Sequence, residues 1–151
     1  MTQEEKDLLL KDLCSRLPYG VKVQIDLQSN IYPPMICKVC NIEFIEMGGS
    51  FIGVEVLPDS YSEYREFLCK PYLFPMSSMT EEQEKDIFRN GTFFFDRHNT
   101  LCRFPKHNDD CDYVTFEEYL EIIEKLNKHH IDYRGLISMG LALNATNLNI
   151  Y

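Results

Sequence analysis

Val21, Val23, Ile25 and Leu27 alternate with Lys22, Gln24 and Asp26, a period of two that gives a strand one buried and one wet face. Just before it, Leu9, Leu10, Leu13, Cys14 and Leu17 recur at helical spacing, while Glu4, Lys6, Asp7, Lys11 and Asp12 occupy the polar positions. Thr2 with Glu5 three residues on forms a capping box that opens this helix, and Pro18-Tyr19-Gly20 stops it. A second strand is expected from Ile36 to Met47, with Cys40, Ile42 and Phe44 inward and Asn41 and Glu43 outward. Gly48-Gly49-Ser50 is a hairpin signal, and Phe51 to Leu57 continues as a third strand with Ile52, Val54 and Val56 on one face. Asp59 to Glu66 reads as a polar, tyrosine-rich link. Tyr72, Phe74 and Met76 then form a short strand that Pro71 and Pro75 push toward a sheet edge.

Thr80 and Gln83 make a second capping box, which opens a short helix ending before Asn90-Gly91. Phe93 to Phe95 and Leu101 to Phe104 predict a small hairpin. Thr115 and Glu118 cap a late helix whose apolar stripe is Phe116, Tyr119, Leu120 and Ile123. The order is α+β: an N-terminal helix, a small bent antiparallel sheet of about three to five strands with an SH3-like half-barrel as its analogue, and a helical C-terminal third. Neither repeats nor a low-complexity linker divide residues 1–151, so one domain is expected.

Composition narrows the function classes. Fifteen basic against twenty-four acidic residues leave a net charge of −9, a field that repels phosphate backbones and disfavours generic nucleic-acid binding. Thr2 to Asp7 have neither the basic region nor the apolar core of a secretory signal, and no run approaches the ~18 apolar residues that span a bilayer. A cytoplasmic protein without membrane association is expected, with its six cysteines reduced.

Three constellations can carry chemistry. Cys37-Lys38-Val39-Cys40 supplies half of a tetrahedral zinc site, with Cys102, His107 and Cys111 available for the rest. Against this, Cys40 fits a strand's inward face as a small hydrophobe, and a redox pair usually opens a helix rather than sitting in a strand. His129, His130, Asp132, Tyr133 and Arg134 combine imidazoles, a carboxylate and a guanidinium, the parts of an anion pocket or an acid–base site. The structural alternative is equally concrete. Lys125, Lys128, His129 and His130 complement a helix C-terminus, Asp132 caps the turn that follows, and Gly135 releases it. Lys70, Tyr72 and Phe74, on the proline-flanked strand, form either core or the wall of a contact surface. If an anionic ligand binds, its place is between Pro71–Met76 and His129–Arg134, with Arg134 as anchor. Asp109-Asp110-x-Asp112 lacks the glycine and terminal glutamate of a calcium loop. Phosphate-cradling loops, nucleophile elbows and His-Glu-x-x-His helices are missing from the sequence, and no cofactor is implied.

Lys70-Pro71-Tyr72-Leu73-Phe74-Pro75-Met76-Ser77-Ser78-Met79-Thr80-Glu81-Glu82 and Leu126-Asn127-Lys128-His129-His130-Ile131-Asp132-Tyr133-Arg134-Gly135-Leu136-Ile137, with the opening Leu8 to Val21, resemble a family of short uncharacterised proteins. That family belongs to gut Bacteroidales bacteria and their phages and mobile elements. The resemblance implies a context (the host cytoplasm, for a phage-encoded protein) and no functional residues. With the small size and absent catalytic signatures, it favours a non-enzymatic accessory protein that binds a host protein, a defence component being the natural target class. Two alternatives stay open: a small-ligand binder that sequesters an anionic or nucleotide signal, and an enzyme built on the His129/Asp132 region. The expected edge strand with its aromatic residues further suggests a homodimer.

Overall fold

The computed structural model describes residues 1–28, 31–45, 49–57, 60–88, 93–95, 101–103 and 112–151. Helix α1 (Gln3–Arg16) begins at Thr2, whose hydroxyl accepts from Glu5 N while Glu5 reaches back to Thr2 N, the expected capping box. A 3-10 turn over Leu17–Tyr19 closes it at Gly20. Strands β1 (Lys22–Ile25), β2 (Met35–Ile45), β3 (Gly49–Leu57) and β4 (Ser60–Arg65) follow as an antiparallel meander. A second 3-10 turn, Glu66–Leu68, leads into β5 (Cys69–Pro75), which returns to pair antiparallel with β1. The α+β class is as expected, with β5 pairing beside the first strand of the meander.

The sheet is mixed rather than purely antiparallel. After α2 (Glu81–Phe88), β6 (Phe93–Phe95), β7 (Leu101–Arg103), β8 (Asp112–Tyr113) and α3 (Phe116–Lys128) come two two-residue strands, β9 (Ile131–Asp132) and β10 (Leu143–Asn144). Both pair in parallel with β5: Phe74 opposite Ile131, and Tyr72 opposite Leu143. The main sheet thus has seven strands in the order β10-β5-β1-β2-β3-β4, with β9 also on β5. β5 is therefore an interior strand, not an edge. Pro71 is compatible with this because pairing on the second side starts only at Tyr72, and Pro75 ends the strand. β6, β7 and β8 form a separate three-stranded sheet that includes the expected Phe93–Arg103 hairpin.

Two further expectations fail for physical reasons. β4 occupies the segment read as a polar link: as the outermost strand it tolerates serine, glutamate and arginine on its exposed side, and pairing with β3 overrides its composition. In β2 a bulge between Val39 and Asn41 shifts the phase, so Cys37 and Val39 face the core before it and Ile42 after it. Cys40 is exposed, and Phe44 is exposed at the outer end of the strand. The core lies where α1 covers the sheet, with Leu9 and Leu13 against Val21, Val23, Ile25, Val39, Ile52 and Val54. A second cluster joins Ile87, Leu101, Ile122, Leu126, Ile131 and Tyr133, and a third gathers Leu73, Leu136, Leu141 and Ala142.

Candidate functional site

The His129–Arg134 segment begins as the end of a helix. α3 is capped by Thr115 and Glu118 as expected, and after Lys128 the His129 N–H still bonds Lys125 O at 3.0 Å. His130 then takes a left-handed backbone (φ 55), which breaks the helix and turns the chain into β9. The two histidines part company there. His129 stays near the surface with Nε2 3.4 Å from Asp86 Oδ2 of α2, beside the Lys125 ammonium at 3.0 Å from Oδ1. Lys125 first, then His129, holds the Asp86 carboxyl below the ordinary carboxylate range. His130 is buried and stacks on Tyr151, with ring centroids 3.9 Å apart and planes 12° from parallel. Burial, then the nearby Arg16 charge, pulls its imidazole down to about 4, and a backbone hydrogen bond at Tyr19 works in the opposite sense. Its Nδ1 is buried without a hydrogen-bond partner.

Asp132 orients a turn rather than an imidazole. Its Oδ1 accepts from Leu136 N and its Oδ2 from Ile137 N, both at 2.8 Å, so both oxygens are committed to backbone donors. Gly135 (φ 75) follows with the left-handed conformation this turn requires.

Arg134 enters a charged cluster whose other members come from α1. Asp12 and Arg16 are fully buried, contrary to the outward placement expected for Asp12. Arg16 Nε donates to Asp12 Oδ2 at 2.7 Å and Arg16 Nη2 to Oδ1 at 3.0 Å, a bidentate pair one helical turn apart. Arg16 also donates from Nη2 to Ile131 O at 2.8 Å and from Nη1 to Leu126 O at 3.4 Å, tying α1 to the end of α3 and to β9. Arg134 Nε lies 3.2 Å from Asp12 Oδ1, within ion-pair reach though not aligned as a hydrogen bond, and its Nη2 donates to Tyr133 Oη at 2.7 Å. Both guanidinium groups lie against the Tyr133 ring, at 5.6 Å for Arg16 and 4.8 Å for Arg134. One carboxylate thus anchors two arginines, and the arginine expected to anchor a ligand is held by an internal acid.

Phe74 and Tyr72 belong to the adjoining layer. Phe74 N donates to His130 O at 2.9 Å, and its ring lies 5.9 Å from Tyr151. The Tyr151 hydroxyl donates to Tyr72 O at 2.7 Å and accepts from Lys22 N at 3.2 Å, while Tyr72 Oη donates to Gln24 Oε1 at 2.8 Å. The two segments expected to flank a ligand do come together, joined by backbone pairing of β5 with β9. Lys70 lies apart, lining a cavity of about 840 Å³ with Lys6, Glu66, Cys69 and Met139. Asp12, Arg16, Lys22 and Tyr151 are the members of this cluster that the sequence reading did not single out.

Cys37 and Cys40 sit on opposite faces of β2, one buried and one exposed, so they do not chelate a common ion. Burial raises the Cys37 thiol and pushes Cys69 up to about 12, which keeps both protonated and unreactive. His107, Cys111, Asp109 and Asp110 lie outside the described residues, among which no group of three metal-ligating side chains occurs.

The outer surface carries a different feature. α3 packs through Ile122 and Leu126, with Ile123 half-buried, instead of through the whole expected stripe. Phe116 (71% exposed), Tyr119 (37%) and Leu120 (49%) project from its first two turns at i, i+3 and i+4 spacing. Glu117 is exposed beside them. No helix is long and apolar enough to cross a membrane among the described residues. Compared with family models, curated proteins and solved structures, the chain matches none.

Proposed function

We propose that the protein acts by binding another protein, and that the first two turns of α3 are the contact face. One observation carries this reading: Phe116, Tyr119 and Leu120 stand exposed on one side of a helix whose Ile122 and Leu126 already supply its packing. Large apolar side chains at i, i+3 and i+4 are the pattern by which a helix docks into a partner's groove, and aromatic residues dominate such contacts. Glu117 beside the face and the net charge of −9 favour a partner with a basic rim, and they disfavour nucleic acid. The resemblance to phage and mobile-element proteins makes a host protein, such as a defence component, the target class to try first. The residues of the alternative anion site are engaged with one another: Arg134 with Asp12 and Tyr133, His130 with Tyr151, and Asp132 with its turn.

The test is affinity capture from host lysate with the wild-type chain and with a Phe116→Ser, Leu120→Ser variant. A stoichiometric partner retained by the first and lost by the second, with unchanged circular dichroism, is the expected result. Recovery of no stoichiometric protein, or equal recovery by both, removes the reading.

A further inference from the structure

The meander ends in an open edge next to a hollow. β4 is the outermost strand of the main sheet and pairs only with β3 among the described residues, so the backbone groups of its other side face outward. On the outer face, Asn41, Gly53 and Glu63 lie opposite one another across β2, β3 and β4. Gly53 has no side chain to fill its place in this row. A Cβ there would stand 1.6 Å from Asn41 Oδ1, so the Asn41 amide takes the space a side chain at 53 would fill and forms one wall of a hollow beside it. The cavity measures about 460 Å³ and is lined by Cys40, Asn41, Gly53, Tyr61, Ser62 and Glu63.

Asn41 and Glu63 turn acceptors to this hollow. Asn41 Nδ2 is turned away to Glu43 Oε1 at 3.3 Å, which leaves Oδ1 toward Gly53. The Glu63 carboxylate has no ion-pair or hydrogen-bond partner among the described residues, and the exposed Tyr61 ring stands beside it. A carboxylate, an amide oxygen and an aromatic face around a small hollow are what an ammonium or guanidinium group binds. An open strand edge takes an extended chain, and alternate side chains of that added strand fall on one face of the sheet.

We infer that β4 accepts an extended segment of a basic partner peptide as an added strand, with a lysine or arginine side chain laid into the Gly53 hollow against Glu63 and Asn41. This site is distinct from the α3 face and stands or falls separately.

The probe is a short synthetic peptide alternating lysine and threonine, titrated calorimetrically beside its lysine-acetylated form and free cadaverine, with amide exchange measured in parallel. The lysine peptide should bind and slow exchange at every second amide of Ser60–Arg65. Acetylation or Glu63→Gln should weaken it by about fivefold, the factor an ion pair at a partly exposed site supplies. Gly53→Ala should weaken it too, by displacing the Asn41 amide, and Phe116→Ser with Leu120→Ser should leave it unchanged. Glu63→Gln removes no internal contact, so it keeps the test decisive if Gly53→Ala fails to fold. Absent binding, equal binding of the acetylated peptide, equal binding of cadaverine, or unchanged exchange along β4 overturns the inference.

Discussion

Two carboxylates in this molecule each hold two basic side chains, and they do so under opposite conditions. Asp12 grips Arg16 and Arg134 inside the protein, with no exposure of Asp12 or Arg16. Asp86 meets Lys125 and His129 at the surface, where its own side chain is about half exposed. The chemistry is alike and the energetics are not. In water an ion pair gains little, because solvent competes for both partners and salt screens them. In the interior each charge has given up its hydration, so whatever leaves one unpaired costs several kcal/mol. The inside cluster uses arginine, whose planar fork makes two aligned bonds to Asp12 and still reaches the carbonyls of Leu126 and Ile131. The outside cluster uses a lysine and a histidine, which need no such fit.

The largest effect should therefore come from Asp12→Asn. It removes the carboxylate that holds the buried Arg16 and the half-buried Arg134, and should destabilise the fold by about 3–5 kcal/mol. Arg16→Lys should lose nearly as much, because one ammonium cannot reproduce the bidentate pair and the two carbonyl contacts. Chemical denaturation with an unchanged m-value checks both. The sharper version replaces the group together: Asp12→Leu, Arg16→Met and Arg134→Met in one chain should recover much of the loss, since apolar packing of similar volume often equals a buried ion cluster. A triple variant less stable than Asp12→Asn would mean that the hydrogen bonds from Arg16 to α3 and β9 matter more than the charges.

The adjacent histidines repeat the contrast with titratable groups. The His130 imidazole is held at about 4 in the folded chain, against an ordinary value of 6.5. A depressed folded value means the unfolded chain takes up the proton first as pH falls. Its contribution is then complete above pH 6.5 and is lost progressively as pH drops toward 4, on the order of 3 kcal/mol in all. His130→Asn, which tolerates the left-handed backbone, should flatten the stability profile across that window. An unchanged slope in His130→Asn would refute the assignment of the slope to the buried ring.

Where periodicity and capping act locally, the sequence announces the structure. β1, β3, both capping boxes of the long helices and the Thr80–Gln83 cap follow from spacing alone, because one buried face or one hydroxyl decides them. What escapes is decided at a distance or without compositional trace. The bulge at Cys40 inverts the inward face of β2, and nothing in Cys-x-x-Cys announces it. The prolines of β5 suggested an edge because its second-side partners, β9 and β10, arrive more than fifty positions later. The candidate site is half readable: His130, Tyr133 and Arg134 stand in one short run, but their partners Asp12, Arg16 and Tyr151 come from α1 and from position 151. Asp12 and Arg16 did leave a signal. With Leu9 and Leu13 they occupy i, i+3, i+4 and i+7 of α1, so a charged pair stands inside the inward stripe. A salt bridge at that spacing on an apolar face means a buried cluster with a partner elsewhere in the chain.

The smallest effect should come from the surface counterpart. Asp86→Asn deletes the anion shared by Lys125 and His129, but both keep part of their side chains in solvent and Lys125 keeps Glu121 at 3.5 Å, so neither is stranded. The contact of α2 with α3 survives through Ile87 packed among Ile122 and Leu126, which does not depend on the ion pair. The thermal midpoint should thus stay close to that of the wild type at neutral pH, with the remaining difference shrinking further in molar salt. The loss in Asp12→Asn should by contrast persist at the same salt concentration, because ions do not reach Asp12 and Arg16, which have no solvent exposure. Paired melting curves of the two variants at low and high salt make the measurement. If Asp86→Asn cost as much as Asp12→Asn, or kept its full effect in salt, burial would not be what separates the two clusters.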